Sequence, residues 1–293
     1  MPRRRTRISD VTFDVFNFAL MLIVFVIMTY PFIYILTYSL SNPAFLRGGL
    51  MLLPVGLNWS SYKVTFSNSD ILNGLFISVA RTTIGPIGMI IVTSMAGFVL
   101  TKDTFPGVKF LRKLFVFTMY FSGGIIPLYM VIRYLHLLGT FWVYIFPTLA
   151  AVFNMILIKT FIETLPQSLE EAAIIDGAND VQVFYRVVLP LCKPVIAAVT
   201  LFACVHHWNS FIDTQLYNPM HPRLFSLQYV LYTFLATQTQ SVEQAKQAFK
   251  VERISPATLQ MAITVVTILP ILCVYPFLQK HFASGLLVGS IKG

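Results

Sequence analysis

Apolar residues in this chain are gathered into six blocks, at about 15–36, 71–100, 111–131, 138–158, 194–212 and 259–278. Each block has the length of a bilayer crossing, since a hydrocarbon core about 30 Å thick needs about 20 helical residues. Inside lipid, a spanning segment has to satisfy its own backbone N–H and C=O groups, so every block reads as helix. Charged residues make up only 11% of the chain and hydrophobic ones 56%, against roughly 25% charged in a soluble domain. A water-soluble fold of this length is therefore excluded. The expectation is an all-α, polytopic transmembrane bundle, with residues 1–293 forming a single transmembrane domain.

Arg3, Arg4, Arg5 and Arg7 precede the first block in the manner of a signal peptide. The apolar run that follows is too long and lacks a small-residue cleavage site, so it reads as a retained first helix. The second block is interrupted by Arg81, Gly85 and Pro86.

A net charge of +9 could point to nucleic acid, but the basic residues concentrate in the segments between alternate blocks. With the N-terminus inside, 13 of the 21 Lys and Arg fall on the inner side and 7 on the outer, Arg81 lying within a span. That asymmetry has the sign of the positive-inside rule and places both termini in the cytoplasm. It leaves two sizeable outer loops, 41–70 and 214–257, and one sizeable inner loop, 160–193.

Cys192, Cys204 and Cys273 lie in or beside apolar blocks without close pairing, and no chelating spacing appears among His136, His206, His207, His221 and His281. Neither a disulfide framework nor a metal site is expected. No Gly-x-x-x-x-Gly-Lys-Ser/Thr phosphate loop occurs anywhere in the chain, so any ATP is hydrolysed by another polypeptide.

The inner loop carries the most specific pattern. Residues 166–194 read PQSLEEAAIIDGANDVQVFYRVVLPLCKP. Ser168 with Glu171 three residues later has the form of a capping box, and Ala172 and Ala173 are strong helix formers. Gly177 permits the φ > 0 turn that would end this helix. A second short amphipathic segment then runs through Val181, Phe184 and Val188 to Leu189-Pro190. The pattern predicts a compact helical hook.

Glu171-Ala172-Ala173, Asp176-Gly177-Ala178, Phe184, Leu189-Pro190 and Pro194 together resemble the EAA coupling loop of ABC importer permeases. The resemblance extends over nearly the whole chain. Tyr30-Pro31-Phe32, Ser39-Leu40-Ser41, Gly123 to Tyr129, Trp208-Asn209, Tyr275 to Lys280 and the closing Gly289 to Gly293 are similar to carbohydrate permeases of that family. Within it the likeness runs toward the second permease of bacterial alginate importers.

This resemblance implies a type I importer fold and a multi-pass protein of the bacterial cytoplasmic (inner) membrane. The chain would be the permease of an oligosaccharide importer, alginate or another uronic-acid oligosaccharide included, and not an enzyme. Its implied partners are a second homologous permease, two ATPase subunits that use ATP and Mg, and an extracytoplasmic solute-binding protein. This chain would bind no cofactor and no nucleic acid. Glu170, Glu171, Ala172, Ala173, Asp176, Gly177 and Ala178 would dock on the ATPase, and Lys292 in the tail could reach the same interface. The outer segment 214–257, with Gln238, Gln240, Gln244 and Gln247, would meet the solute-binding protein.

Polar groups within spans usually face a bundle interior, which makes Arg81, Asn154, the run from His206 to Asn209, and Asp213 candidates for the sugar path. Trp208 offers a ring to stack on a sugar, and Asn209 and Asp213 offer hydrogen bonds to hydroxyls. Helix-to-helix hydrogen bonding is the alternative role for each. Arg81 has two further candidates as partner, Asp213 and an acidic sugar. An ion-driven secondary transporter of a small polar solute would instead show paired half-helices and a buried acidic relay. Only Asp213 lies near a span, at its edge. A membrane-embedded enzyme built on His206-His207 ranks last, because adjacent side chains on a helix point about 100° apart.

Overall fold

The computed structural model describes residues 8–46, 49–236 and 255–290. Arg3 to Arg7, the Gln238 to Gln247 stretch and Lys292 lie outside the described residues. Helices in chain order are α1 (Ile8–Ser39), α2 (Ser60–Ser67), α3 (Ser69–Thr101), α4 (Val108–Tyr120), α5 (Ile125–Tyr134) and α6 (Val152–Ile162). There follow α7 (Gln167–Ile175), α8 (Asp180–Val183), α9 (Leu189–Leu191), α10 (Lys193–Asn209), α11 (Ile212–Tyr217), α12 (Leu227–Ala236) and α13 (Pro256–Ser290). No strand occurs among the described residues. Contacts divide the chain into one unit of residues 1–67 and 234–266, and a second of 68–233 and 267–293.

In the first unit, α1 is apolar on all sides and buries none of its most hydrophobic window. Its end is nonetheless fixed by polar side chains. Ser41 Oγ donates to Thr37 O (2.7 Å) and accepts from Val55 N (3.0 Å), while Ser39 Oγ meets the Tyr62 hydroxyl at 2.7 Å. The stretch from Ser39 to Ser41 thus folds the following loop back against the helix. That segment is not bare loop, since it holds a 3-10 turn at Pro43–Phe45 as well as α2. Helix α13 begins with Pro256 as its first residue, preceded by Ser255, whose Oγ accepts from Thr258 N (3.1 Å). Thr258 Oγ1 in return accepts from Ser255 N (3.2 Å), a reciprocal cap.

The second unit is organised around α3, one continuous helix through Gly85 and Pro86. One contact lets it pass. Pro86 has no N–H for the carbonyl four residues back, Thr82 O, and the Cys204 thiol from α10 donates to that oxygen instead (3.7 Å). Thr93 and Ser94 return their hydroxyl protons to their own helix, at Met89 O (2.7 Å) and Ile90 O (2.5 Å).

Lipid gives helices no hydrophobic reason to associate, so α3 packs through small residues that admit close approach. A Cβ on Gly97 would stand 3.3 Å from Met155 O of α6, and one on Gly74 would stand 3.2 Å from Leu227 Cα at the start of α12. At Gly85 the His207 imidazole of α10 occupies the space where a Cβ would be.

The apolar blocks and the helices differ in several places. The block at 111–131 is two helices, α4 and α5, meeting at 118° across Phe121 to Gly124. The block at 138–158 starts as 3-10 turns, Phe141–Tyr144 and Phe146–Thr148, and meets α6 at 42°. Helix α10 ends at Asn209, where the chain extends through Ser210 before α11. Outer segment 214–257 is not an open loop over its first half, since α11, a turn at Pro222–Leu224 and α12 fill residues up to 236. By length and composition the described residues hold three helices able to cross a membrane, or up to six if each bent pair is one span.

Candidate functional site: the hook and the polar groups between the helices

Helix α7 starts two residues earlier than the sequence pattern predicts, at Gln167 rather than Leu169. Pro166, extended at ψ 123°, is its N-cap residue, and no side chain caps it. Ser168 therefore lies inside the first turn, and the Ser168–Glu171 capping box does not form. The box sits on α8 instead, where Asn179 Oδ1 accepts from Gln182 N and Gln182 Oε1 accepts from Asn179 N, both at 2.9 Å. An Asn with Gln three residues on is the same signature, written in the segment read as amphipathic.

Gly177 ends α7 at φ 85°. Its N–H bonds Ile174 O (2.9 Å) and the Ala178 N–H bonds Ala173 O (2.9 Å), the paired bonds of a Schellman motif. Ala173 and Ala178, the two residues that such a motif brings together, both pack on a buried cluster of Phe98, Ile158, Ile162, Val183, Phe184 and Val188. Val181 is not part of that cluster: it is 63% exposed, and Val183 takes the inward position. The five residues Phe184–Val188 form a π-helical turn leading into α9. Cys192, at the end of α9 and ahead of α10, is buried in the same cluster. Burial pushes its thiol up to about 11, and the charge of Glu170 adds to the effect.

The two glutamates of the hook have separate environments. Glu170 is half-buried and forms an ion pair with Lys102, the residue that ends α3. Glu171, one position on and about 100° around the helix, is exposed, as are Ala172, Asp176 and Gly177. Ile174 and Ile175 are exposed beside them, Ile175 by 85%. The hook thus presents an apolar, acidic outer face on a base that is firmly packed.

The other candidates separate into two places. Arg81, fully buried, lies against Asp213: Nη1 donates to Asp213 Oδ1 (3.2 Å) and Nη2 to Oδ2. Its guanidinium also sits 4.4 Å from the centre of the Tyr144 ring, and the Tyr144 hydroxyl donates to Leu224 O (2.6 Å). Within the chain, Asp213 is therefore the partner of Arg81. Trp208 is buried, its ring N–H donating to Thr267 O (3.0 Å), which leaves no open face for stacking. Asn209 is exposed and accepts from Gln228 Nε2 (3.2 Å).

A cavity of about 330 Å³ lies between α3, α6 and α10, lined by Met89, Thr148, Ala151, Asn154, Phe202, Ala203, His206 and His207. Of the residues singled out for the sugar path, Asn154, His206 and His207 line it, whereas Arg81, Trp208, Asn209 and Asp213 do not. Asn154 is buried, with Nδ2 directed at Met89 Sδ (3.6 Å). Thr148 Oγ1 lies within hydrogen-bond reach of both Ile145 O (2.8 Å) and His207 Nε2 (3.3 Å). Among the described residues no group of three or more His, Cys, Asp or Glu is placed to hold a metal ion.

Residues 109–288 match the family described as binding-protein-dependent transport system inner membrane component. The chain belongs to this family. Its hook loop, α10 and α6 fall within the matched residues, whereas Arg81 and Lys102 lie ahead of them. The permease is similar along its length to the polygalacturonan/rhamnogalacturonan transport system permease protein YtcP of Bacillus subtilis (strain 168), being 35% identical over 96% of this chain and 98% of that one. Protein LplC of the same organism is 39% identical over 96% and 95%. Among solved structures, a chain from a bacterial ABC transporter involved in the import of the acidic polysaccharide alginate superposes with TM-score 0.88 and 29% identity, covering 96% of the permease and all of that chain. As an ABC importer permease it works with an ATPase and a binding protein.

Sequence reasoning missed Lys102 and Thr148. Neither stands in a motif, and each matters only through a neighbour 68 or 59 residues away.

Proposed function

We propose that this chain is one of two non-identical permease halves of an ATP-driven importer for oligosaccharides of acidic polysaccharides. The N-terminus is placed in the cytoplasm by the Lys and Arg asymmetry, so the hook of residues 160–193 faces the ATPases. The observation that carries the reading is the geometry of the hook. It holds a nine-residue helix closed at Gly177, with Glu171, Ile174 and Ile175 standing free on the side away from the packed cluster. A surface of that kind, apolar and acidic on a rigid base, suits docking into a cleft of a partner that closes on nucleotide.

Closure of two ATPases on ATP and Mg draws the two hooks together and turns the cavity from one side of the membrane to the other, and the loaded binding protein delivers substrate to the outer side. Similarity to permeases of polygalacturonan/rhamnogalacturonan and alginate systems supports acidic polysaccharide fragments as the cargo. Membership of a binding-protein-dependent family favours this reading over an ion-driven transporter. The reading is tested by ATPase assay of the reconstituted assembly carrying Glu171→Lys. Loss of binding-protein-stimulated hydrolysis is expected, and retention of full stimulation would refute the docking role.

A further inference from the structure

We infer that Lys102 is a positioning residue which, through Glu170, makes the end of α3 and the hook move as one body. The inference rests on the docking role of the hook proposed above.

Three contacts converge on this junction. Lys102 forms the ion pair with Glu170, with side-chain exposures of 29% and 20%. The same ammonium lies 4.5 Å from the centre of the Phe98 ring, one turn back on α3. Phe98 in turn packs on Phe184 at 5.3 Å between ring centres, at the start of the π-helical turn.

The ends of the two helices favour this pairing. Lys102 sits at the C-terminus of α3, where the macrodipole attracts a cation, and Glu170 sits in the first turn of α7, where it attracts an anion. Lys102 is not needed to cap α3 itself. That role falls to Arg112 of α4, whose Nε donates to Leu100 O (2.7 Å) and whose Nη1 pairs with Asp103 (2.8 Å). The ammonium is therefore free to bind across to the hook.

Adjacent glutamates thereby have different tasks. Glu171 and the two isoleucines are left for the ATPase, while Glu170 anchors the hook to the helix that lines the cavity at Met89. Without that tie the hook remains docked, but its movement is shared out into bending at the π-helical turn before it reaches α3.

The test uses the complete importer, with Ala151→Cys placed in the cavity wall as a reporter. Modification by N-ethylmaleimide is compared between nucleotide-free and Mg-ATP/vanadate states, and read by mass spectrometry on the peptide carrying position 151. The nucleotide-induced change in modification is expected to shrink about fivefold with Lys102→Met or Glu170→Gln, with the ATPase still retained on the permease. Lys102→Glu and Glu170→Lys singly should do the same, and the double reversal should restore the response. If Lys102→Glu does not assemble, Lys102→Met decides, because it removes the charge and keeps the aliphatic stem. A nucleotide response equal to the parent's in Lys102→Met and Glu170→Gln overturns the inference, as does a double reversal no better than its singles. Glu171→Lys separates the two readings. If it also leaves the ATPase bound and the response intact, the docking role itself fails; if it abolishes them while the Lys102 variants respond normally, only the tie is wrong.

Discussion

Arg81 on α3 and Asp213 on α11 form a buried ion pair across 132 residues of chain, with the arginine wholly enclosed and the aspartate one-fifth exposed. Removing one member leaves an uncompensated charge, which is far worse than removing both. Asp213→Asn is expected to cost about 3 kcal/mol, the low end for a buried pair because the aspartate keeps some water. The unfolding temperature of the purified complex in detergent would fall clearly, and Arg81→Met/Asp213→Asn would recover most of the loss. Equal loss in single and double variants would contradict the pairing.

Close approach at Gly85 gives a sharper contrast. A Cβ there would collide with the His207 ring, including a contact of 2.8 Å to Cδ2. That ring is buried and in contact with Thr148, and displacing it breaks that contact, so Gly85→Ala should cost about 1–3 kcal/mol. At Gly88, one turn on, the nearest atom is Leu149 Cδ2 at 2.7 Å, the end of a flexible side chain. Gly88→Ala should therefore cost little, since the leucine rotates aside and alanine is the better helix former by about 1 kcal/mol. Comparable melting temperatures for the two variants would disprove this ranking.

At the hook, Gly177 has open space around a Cβ position but a φ of 85°. Gly177→Ala should cost about 1–2 kcal/mol of local stability from backbone strain alone. Hydrogen exchange at the Ala178 amide, which bonds Ala173 O, would quicken roughly tenfold. Asn179→Ala, which removes the capping box, should loosen α8 by about 1 kcal/mol. Unchanged exchange in both peptides would sink the account of how the hook is closed.

Cys192 supplies a pH-dependent readout. Its neutral thiol is favoured in the folded state, so its stabilising contribution is full below the ordinary value of 9.0 and is lost as pH rises toward about 11. Alkylation at Cys192, read by mass spectrometry on its own peptide because Cys273 is exposed, should be very slow at pH 7.5 in the native assembly and accelerate up to about pH 11, whereas in detergent-denatured protein it should proceed readily at pH 8.5. Rapid native reaction at pH 7.5 would show that the cluster around Phe184 opens.

Much of the hook was legible because its signals are local. Gly177 and the alanine pair lie within one short stretch, and a helix stop needs only a residue tolerant of positive φ. The start was misread at Ser168, because the turn imposed by Pro166 starts the helix ahead of the side chain that looked like its cap. Arg81 could be recognised as costly from its position in an apolar block. That Asp213 pairs with it could not be read until α11 was seen to bring the carboxylate there.

By itself, the sequence determined that the apolar blocks are built mainly from helix, since block length and composition report directly on a solvent that cannot satisfy a bare backbone. It also determined that a hook closes at Gly177. Only the tertiary structure decided where the helices bend, that Trp208 is enclosed while Asn154 lines a cavity, and that Lys102 holds Glu170. Those outcomes depend on side chains far apart in sequence meeting at van der Waals or hydrogen-bond distance. Periodicity along one segment carries no information about which distant segment lies across from it.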